Sequence, residues 1–241
     1  MELILTDIKK SFGEKEVLKG ASYTFRQGGI YGLLGRNGAG KTTLFNCLSD
    51  EFPPDSGTVC LADDAGGARR PLVQGDVGYV LSTPVVPEFL TGSEFVKFFL
   101  EITGDPGNTG RTPDDWLALV GIDPEDRHRL MRGYSHGMKN KVQMLCFLIG
   151  RPPVILLDEP LTSFDVVAAL EMKNLLREMK DEHIIIFSTH ILQLAADLCD
   201  DIVVLNHGLL EEVDRSVIHT PEFESRIIDI LKDADRQEGE A

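Results

Sequence analysis

The segment Gly35-Arg36-Asn37-Gly38-Ala39-Gly40-Lys41-Thr42-Thr43 carries the spacing G-x-x-x-x-G-K-[ST]. Its residue types suit the gripping of phosphate. Glycines let successive backbone N–H groups converge on an anion, and a helix opening at Lys41 adds the positive end of its dipole to the same point. Lys41 brings a full charge for the β- and γ-phosphates of a nucleotide, and the Thr42 hydroxyl suits a Mg²⁺ ion. A second group is Asp158-Glu159, two carboxylates that close the apolar run Val154–Leu157. Asp158 is the candidate to hold the metal, directly or through water, and Glu159 the candidate to polarise an attacking water. A third is His190, which ends Ser188-Thr189-His190 after the apolar run 184–187. Its imidazole suits a hydrogen bond to a terminal phosphate oxygen or to that water. Alone, a strand-end histidine is usually incidental, and only the other two groups give it meaning.

The elements that must bring these groups together are legible from hydrophobic pattern. Ile30–Leu34 reads as a strand running into the glycine turn, and the helix from Lys41 has Leu44, Phe45 and Leu48 on one face. Residues 154–157 and 184–187 are continuous apolar runs of the kind buried on both faces of a parallel sheet. Between them the pattern predicts a helix over Val166–Lys180, with Leu170, Leu175, Leu176 and Met179 as its apolar stripe. This alternation predicts an α/β fold: a P-loop core with a mainly parallel sheet flanked by helices. In such a sheet ligands gather at the carboxyl ends of strands, where all three groups fall.

Residues 2–6, 23–25 and 58–62 read as further strands, and 63–71 as a surface loop. Helical patterns over 93–102, 113–120 and 138–149 mark residues 83–150 as a helical insertion. The core is then 1–82 with 151–231, and 232–241 a flexible acidic tail.

The chain has 241 residues, 42% of them hydrophobic, enough for a substantial core. A formal net charge of −15 disfavours non-specific binding to nucleic acid. The apolar runs are far shorter than the roughly 20 residues a bilayer span needs, and no secretory signal is visible at the start. Cys47, Cys60, Cys146 and Cys199 are scattered without paired spacing, which suits reduced cysteines in the cytosol. No Asn-Lys-x-Asp guanine-reading motif occurs. The nearest string, Asn140-Lys141-Val142-Gln143, lacks the aspartate.

With Tyr134-Ser135-His136-Gly137-Met138, these motifs make residues 2–215 resemble the ATP-binding subunit of ABC transporters. The resemblance implies the ABC ATPase fold, with an N-terminal antiparallel β-subdomain and an inserted α-helical subdomain. It implies ATP and Mg²⁺ as ligands and hydrolysis to ADP and phosphate. It also implies a nucleotide-sandwich dimer, formed with itself or a similar ATPase subunit. In that dimer Ser135 and Gly137 contact the ATP held by the glycine loop, Lys41, Thr42 and Thr43 of the opposite subunit. Read without the family, Ser135 is an ordinary helix cap, and the two roles are compatible. Phe12 is similar to the aromatic that stacks on adenine, and Leu161–Asp165 to the segment that links the two sites of a dimer. The resemblance further implies a separate transmembrane permease subunit, with this chain peripheral on the inner face of the cell membrane.

The string from Tyr134, together with Leu90-Thr91-Gly92-Ser93-Glu94, looks most like ATPases of exporters. One position departs from the family. Where it places a metal-binding glutamine after Val77–Val80, this chain has Ser82, a weak metal candidate whose shorter side chain needs a closer backbone or a bridging water, so that Mg²⁺ rests more heavily on Thr42 and Asp158. That departure keeps open a regulatory or adaptor subunit with weak turnover. A soluble ABC ATPase outside transport is a further alternative, although such proteins usually carry long coiled-coil insertions or two modules.

Overall fold

The computed structural model describes residues 1–63, 67–81, 83–104, 109–160 and 166–237. In chain order the elements are β1 (Glu2–Phe12), β2 (Lys15–Arg26), β3 (Ile30–Leu34), α1 (Lys41–Leu48), β4 (Ser56–Ala62), β5 (Arg69–Pro71) and β6 (Val77–Val80). Then come α2 (Gly92–Thr103), α3 (Pro113–Leu119), α4 (Pro124–Arg127), α5 (His136–Gly150), β7 (Val154–Asp158) and α6 (Val166–Met179). The chain closes with β8 (Ile184–Ser188), α7 (Leu192–Leu198), β9 (Asp201–Asn206), β10 (Leu209–Val213) and α8 (Phe223–Gln237). Two compact units result. One contains Met1–Tyr79, Pro153–Glu159 and the chain from Leu170 onward; the other contains Val80–Pro152 and Pro160–Ala169.

The first unit is built on a six-stranded sheet of order β10-β9-β3-β8-β7-β6. Strands β7, β8, β3 and β9 are mutually parallel, and β10 closes the edge antiparallel to β9. All five residues of β3, β7 and β8 are buried, as strands covered on both faces must be. A second, antiparallel sheet has the order β2-β1-β4-β5. Its inward residues Leu3, Ile8, Leu18 and Phe25 share one core with Leu44 and Phe45 of α1 and with Leu33, Leu156 and Ile186 of the large sheet. Helix α1 thus packs in the same apolar cluster as both sheets, which fixes the start of that helix at the end of β3.

Several local readings change. Residues 69–71 are a strand rather than part of a loop, paired with Cys60–Ala62. In α6 the buried positions are Met172 and Leu176, while Leu170 is exposed, because 172, 176 and 179 share one helical face and 170 lies off it. Helix α8 continues past Lys232 to Gln237. The apolar residues Phe223 and Ile227 bury one side of its first turns, and Asn206 Nδ2 donates to the Ile230 carbonyl at 2.8 Å. Ser82 and Leu161–Asp165, two positions of interest in the sequence, lie outside the described residues.

The second unit has its own core, in which Val96, Trp116, Leu117, Val142, Leu145 and Ile149 meet. Two of its helices begin with reciprocal capping boxes, Thr91 with Glu94 and Thr112 with Asp115. All four cysteines are free. Burial pushes the Cys47 thiol up to about 11 and Cys146 to about 12, so neither is a ready nucleophile. Among the described residues, no helix is long and apolar enough to cross a membrane.

The turn into β6 is held by a buried carboxylate. Asp76 accepts a two-pronged bond from Arg70 at 2.5 and 2.8 Å and the Val73 N–H at 2.7 Å, while its carbonyl accepts from Val154 at the start of β7. The Arg70 guanidinium holds this carboxyl below its usual range. Asp76→Asn is therefore expected to cost about 1–3 kcal/mol at pH 7, toward the lower end because Arg70 is half exposed. A carboxyl depressed on folding stabilises above its unfolded pKa of about 3.9 and loses that contribution as the pH falls through the folded value. Urea unfolding of both proteins between pH 7 and pH 3 should show the gap closing at the acid end.

Candidate nucleotide-binding and catalytic site

The loop after β3 has the backbone that phosphate requires. Gly38 and Gly40 have φ of 81° and 106°, in the left-handed region. A Cβ on Gly40 would lie 2.7 Å from Val17 Cγ1, and one on Gly35 would lie 2.8 Å from the Leu205 carbonyl oxygen. No other residue type fits at Gly40, which is also the N-cap of α1 and supplies no side-chain cap to its first turn. The first N–H groups of a helix have no partner within it and carry the positive end of its dipole. The cradle therefore fits a phosphate group in backbone shape as well as in sequence.

The polar groups converge because β3, β8 and β7 are neighbours. Leu33 pairs with Ser188, and Ser188 pairs with Asp158, so the loop, the acidic pair and the histidine leave the sheet from adjacent strand ends. Lys41 is only 7% exposed, and its ammonium donates to the carbonyls of Gly35 at 2.8 Å and Arg36 at 3.4 Å. Burial lowers its pKa, and the charges of Glu159 and Asp158 act in the opposite direction. Thr42 Oγ1 donates to Asp158 Oδ2 at 2.9 Å, which puts the two metal candidates in one oxygen cluster. His190 Nδ1 lies 3.0 Å from Glu159 Oε1.

Two residues without an assigned role in the sequence enter here. Ser188 Oγ donates to Asp158 Oδ1 at 2.5 Å, and Tyr79 Oη reaches Asp158 Oδ2 at 3.4 Å. The only sequence signal for Ser188 was its place two residues before His190. The bond itself depends on strand register.

Phe12, at the end of β1, is half exposed, with one edge against Phe52 at a centroid distance of 5.7 Å. Lys10 Nζ stands over the same ring, 5.8 Å from its centroid, and the exposed half of the ring suits stacking on a base. Beyond the loop, Lys15, Lys19, Arg36, Asn37, Gly38 and His207 line a hollow of about 350 Å³. A second hollow of about 280 Å³ runs past Gly35–Asn37 and His190. The larger hollow near Cys47 and Val73, about 550 Å³, has no lysine or arginine in its lining and is a poor place for phosphate.

In the second unit Ser135 caps α5, its Oγ accepting the Met138 N–H at 3.2 Å. Ser135 and His136 are exposed, and Gly137 is partly so. Tyr134 is buried and donates its hydroxyl to the Asp126 carbonyl at 2.8 Å, anchoring the segment just before the cap. The capping role is thus observed. The serine also stands at an exposed helix start, the position that contact with another molecule would need.

Comparisons with known proteins identify the family. The sequence profile of the family described as "ABC transporter" matches residues 18–162. An uncharacterized ABC transporter ATP-binding protein of Bacillus subtilis, YxlF, is 31% identical over 86% of this chain and 68% of its own length. An uncharacterized ABC transporter ATP-binding protein of a Nostoc species is 37% identical over 80% of this chain and 58% of its own. The bacitracin transport ATP-binding protein BcrA of Enterococcus faecalis is 31% identical over 88% and 69%. The chain thus spans 58–69% of the length of these relatives. Among solved structures, an ATP-binding subunit of an ABC transporter superposes with a TM-score of 0.77 at 22% identity, over 95% of this chain and 99% of that one, a likeness of fold. With the family profile covering more than half of the chain and the glycine loop, acidic pair and histidine assembled at one sheet edge, the chain belongs to the ABC transporter family and carries its ATP-binding ATPase domain.

Proposed function

We propose that this chain is an ATP-hydrolysing subunit that drives a separate membrane-embedded transport protein from the inner face of the membrane. The observation that carries the reading is the meeting of Lys41, Thr42, Asp158, Glu159 and His190 at adjacent strand ends. Lys41 and the N–H groups of Gly38–Thr43 take the charge of the β- and γ-phosphates, and Phe12 takes the base. Mg²⁺, when bound, neutralises phosphate charge and polarises the group to be transferred. Thr42 and Asp158 would hold it, and the 2.9 Å between their oxygens suits a shared ligand. Glu159 accepts a proton from the attacking water, and His190, in reach of the same carboxylate, keeps that water and the terminal phosphate oxygen in line.

The working unit in this reading is a pair of such subunits. Ser135 and Gly137 of each copy complete the phosphate site of the other, because one glycine loop alone leaves part of the terminal phosphate unmatched. Loss of that phosphate removes the contact, and the two faces part, a cycle that moves a bound membrane partner. Export is the direction favoured by the segments Leu90–Glu94 and Tyr134–Met138.

Two results test the reading. Glu159→Gln should slow ATP turnover by about 10²–10⁴-fold in a phosphate-release assay while leaving binding of a fluorescent ATP analogue unchanged. Turnover equal to the unaltered protein would remove Glu159 from its role. The same Glu159→Gln protein, loaded with Mg²⁺ and ATP, should shift to twice its mass by light scattering, and Ser135→Arg should block that shift by crowding the sandwich. A strictly monomeric protein, with or without a membrane partner, would overturn the paired site.

A further inference from the structure

The backbone at Glu159 is held in an unfavourable conformation. Its φ is 49°, in the left-handed region that a side chain with a Cβ occupies at a cost of about 1–2 kcal/mol. Such a conformation persists only where surrounding contacts impose it. Here the contact comes from the neighbouring strand. The Glu159 N–H is directed at both oxygens of Ser188, its carbonyl and its Oγ, at 3.2 Å each. That same Oγ donates its only proton to Asp158 Oδ1 at 2.5 Å. A hydroxyl has one proton and two lone pairs, so Ser188 can serve the carboxylate as donor and the amide as acceptor at once.

The geometry points to Ser188 as a positioning residue that sets two consecutive site residues, Asp158 and Glu159, through one buried hydroxyl. Asp158 divides its oxygens: Oδ1 goes to Ser188, and Oδ2 faces Thr42 and Tyr79. With Oδ1 tied to the strand, the carboxylate plane cannot turn, and Oδ2 stays on the Thr42 side where a cation would be shared. With the amide tied to the same hydroxyl, the chain turns sharply after Asp158 and carries the Glu159 carboxylate to within 3.0 Å of His190. Parallel register makes this possible, since Ser188 stands directly beside Asp158 and is fully buried. The inference rests on the proposed function for the meaning of Asp158 and Glu159, but the hydroxyl's effect on the backbone can be read without it.

The test compares Ser188→Ala and Ser188→Cys with Ser188→Thr in the full chain. Alanine removes the hydroxyl, cysteine keeps nearly the same volume with a weak donor, and threonine restores the hydroxyl. In metal-free protein, exchange of the Glu159 amide hydrogen should quicken about tenfold in the alanine and cysteine variants and stay near the unaltered rate in the threonine variant. Mn²⁺ affinity, read by electron paramagnetic resonance with a non-hydrolysable ATP analogue present, should weaken about 10–100-fold in the first two. Their kcat should fall over the same range with little change in the KM for ATP, since the glycine loop and Lys41 remain intact. Unchanged amide exchange and Mn²⁺ affinity in the alanine and cysteine variants would overturn the inference, as would equal losses in all three. Absence of Mg²⁺-dependent turnover in the unaltered protein would instead count against the proposed function, and the amide-exchange result would still decide the role of Ser188.

Discussion

Everything at this site depends on keeping a lysine ammonium charged and nearly buried at the carboxyl ends of the sheet's central strands. Lys41 has lost most of its water, which by itself favours the neutral amine. The loop carbonyls of Gly35 and Arg36 and the carboxylates of Asp158 and Glu159 counter that loss. The arrangement requires three strand ends side by side, because no single loop supplies both the glycine cradle and the carboxylates that face the lysine. It also explains how a chain of net charge −15 can attract a highly anionic ligand. Fixed N–H dipoles and one desolvated ammonium act at contact distance, where the solvent-screened charges of the surface count for little.

The sheet order follows from the same constraint. Strand β3 lies between β8 and β9, so its loop leaves from the interior of the sheet and not from an edge. On one side β8 and β7 bring Ser188, His190 and the acidic pair. On the other, β9 ends near the loop, and the Leu205 carbonyl closes against Gly35. Helix α1 then has to start beneath the sheet edge, and its Leu44 and Phe45 bind it into the common core. A shift of α1 would displace Lys41 and Thr42 together.

Most of this was legible in the sequence where one signal sufficed. The runs 154–157 and 184–187 are apolar throughout because both faces of those strands are covered, and the glycine spacing has few other uses. Elements were missed or cut short where tertiary contacts overrode the local pattern. Strand β9 begins with Asp201, a polar start that conceals it, yet the residue is buried because Arg215 pairs with it. Its partner β10 follows a two-residue turn, His207-Gly208, with φ of 47° and 77°, a hairpin signal weakened by a histidine in the left-handed position. Strand β1 runs on to Phe12 through a bulge at Asp7, whose φ of 51° breaks the alternation that marks a strand. In the site, residue types gave Lys41, Thr42, Asp158, Glu159 and His190. Ser188 and Tyr79 were not recoverable, since a serine or tyrosine gains its role from which residue the register places opposite.

The strained residue and the catalytic candidate are the same residue, and that coincidence has a physical reason. A carboxylate that acts on a water beside a phosphate must leave the sheet at once; a further residue of extended chain would carry it past the site. A sharp turn directly after β7 achieves this, and here it is made with Glu159 in the left-handed conformation, at φ 49°. Glycine would adopt the turn without strain but has no carboxylate. The chain therefore keeps glutamate at a position where the backbone favours glycine, and the opposing strand supplies the hydrogen bonds that hold it there. The energy that those bonds offset is local and small, about 1–2 kcal/mol, but it falls on the residue that the proposed function makes the proton acceptor.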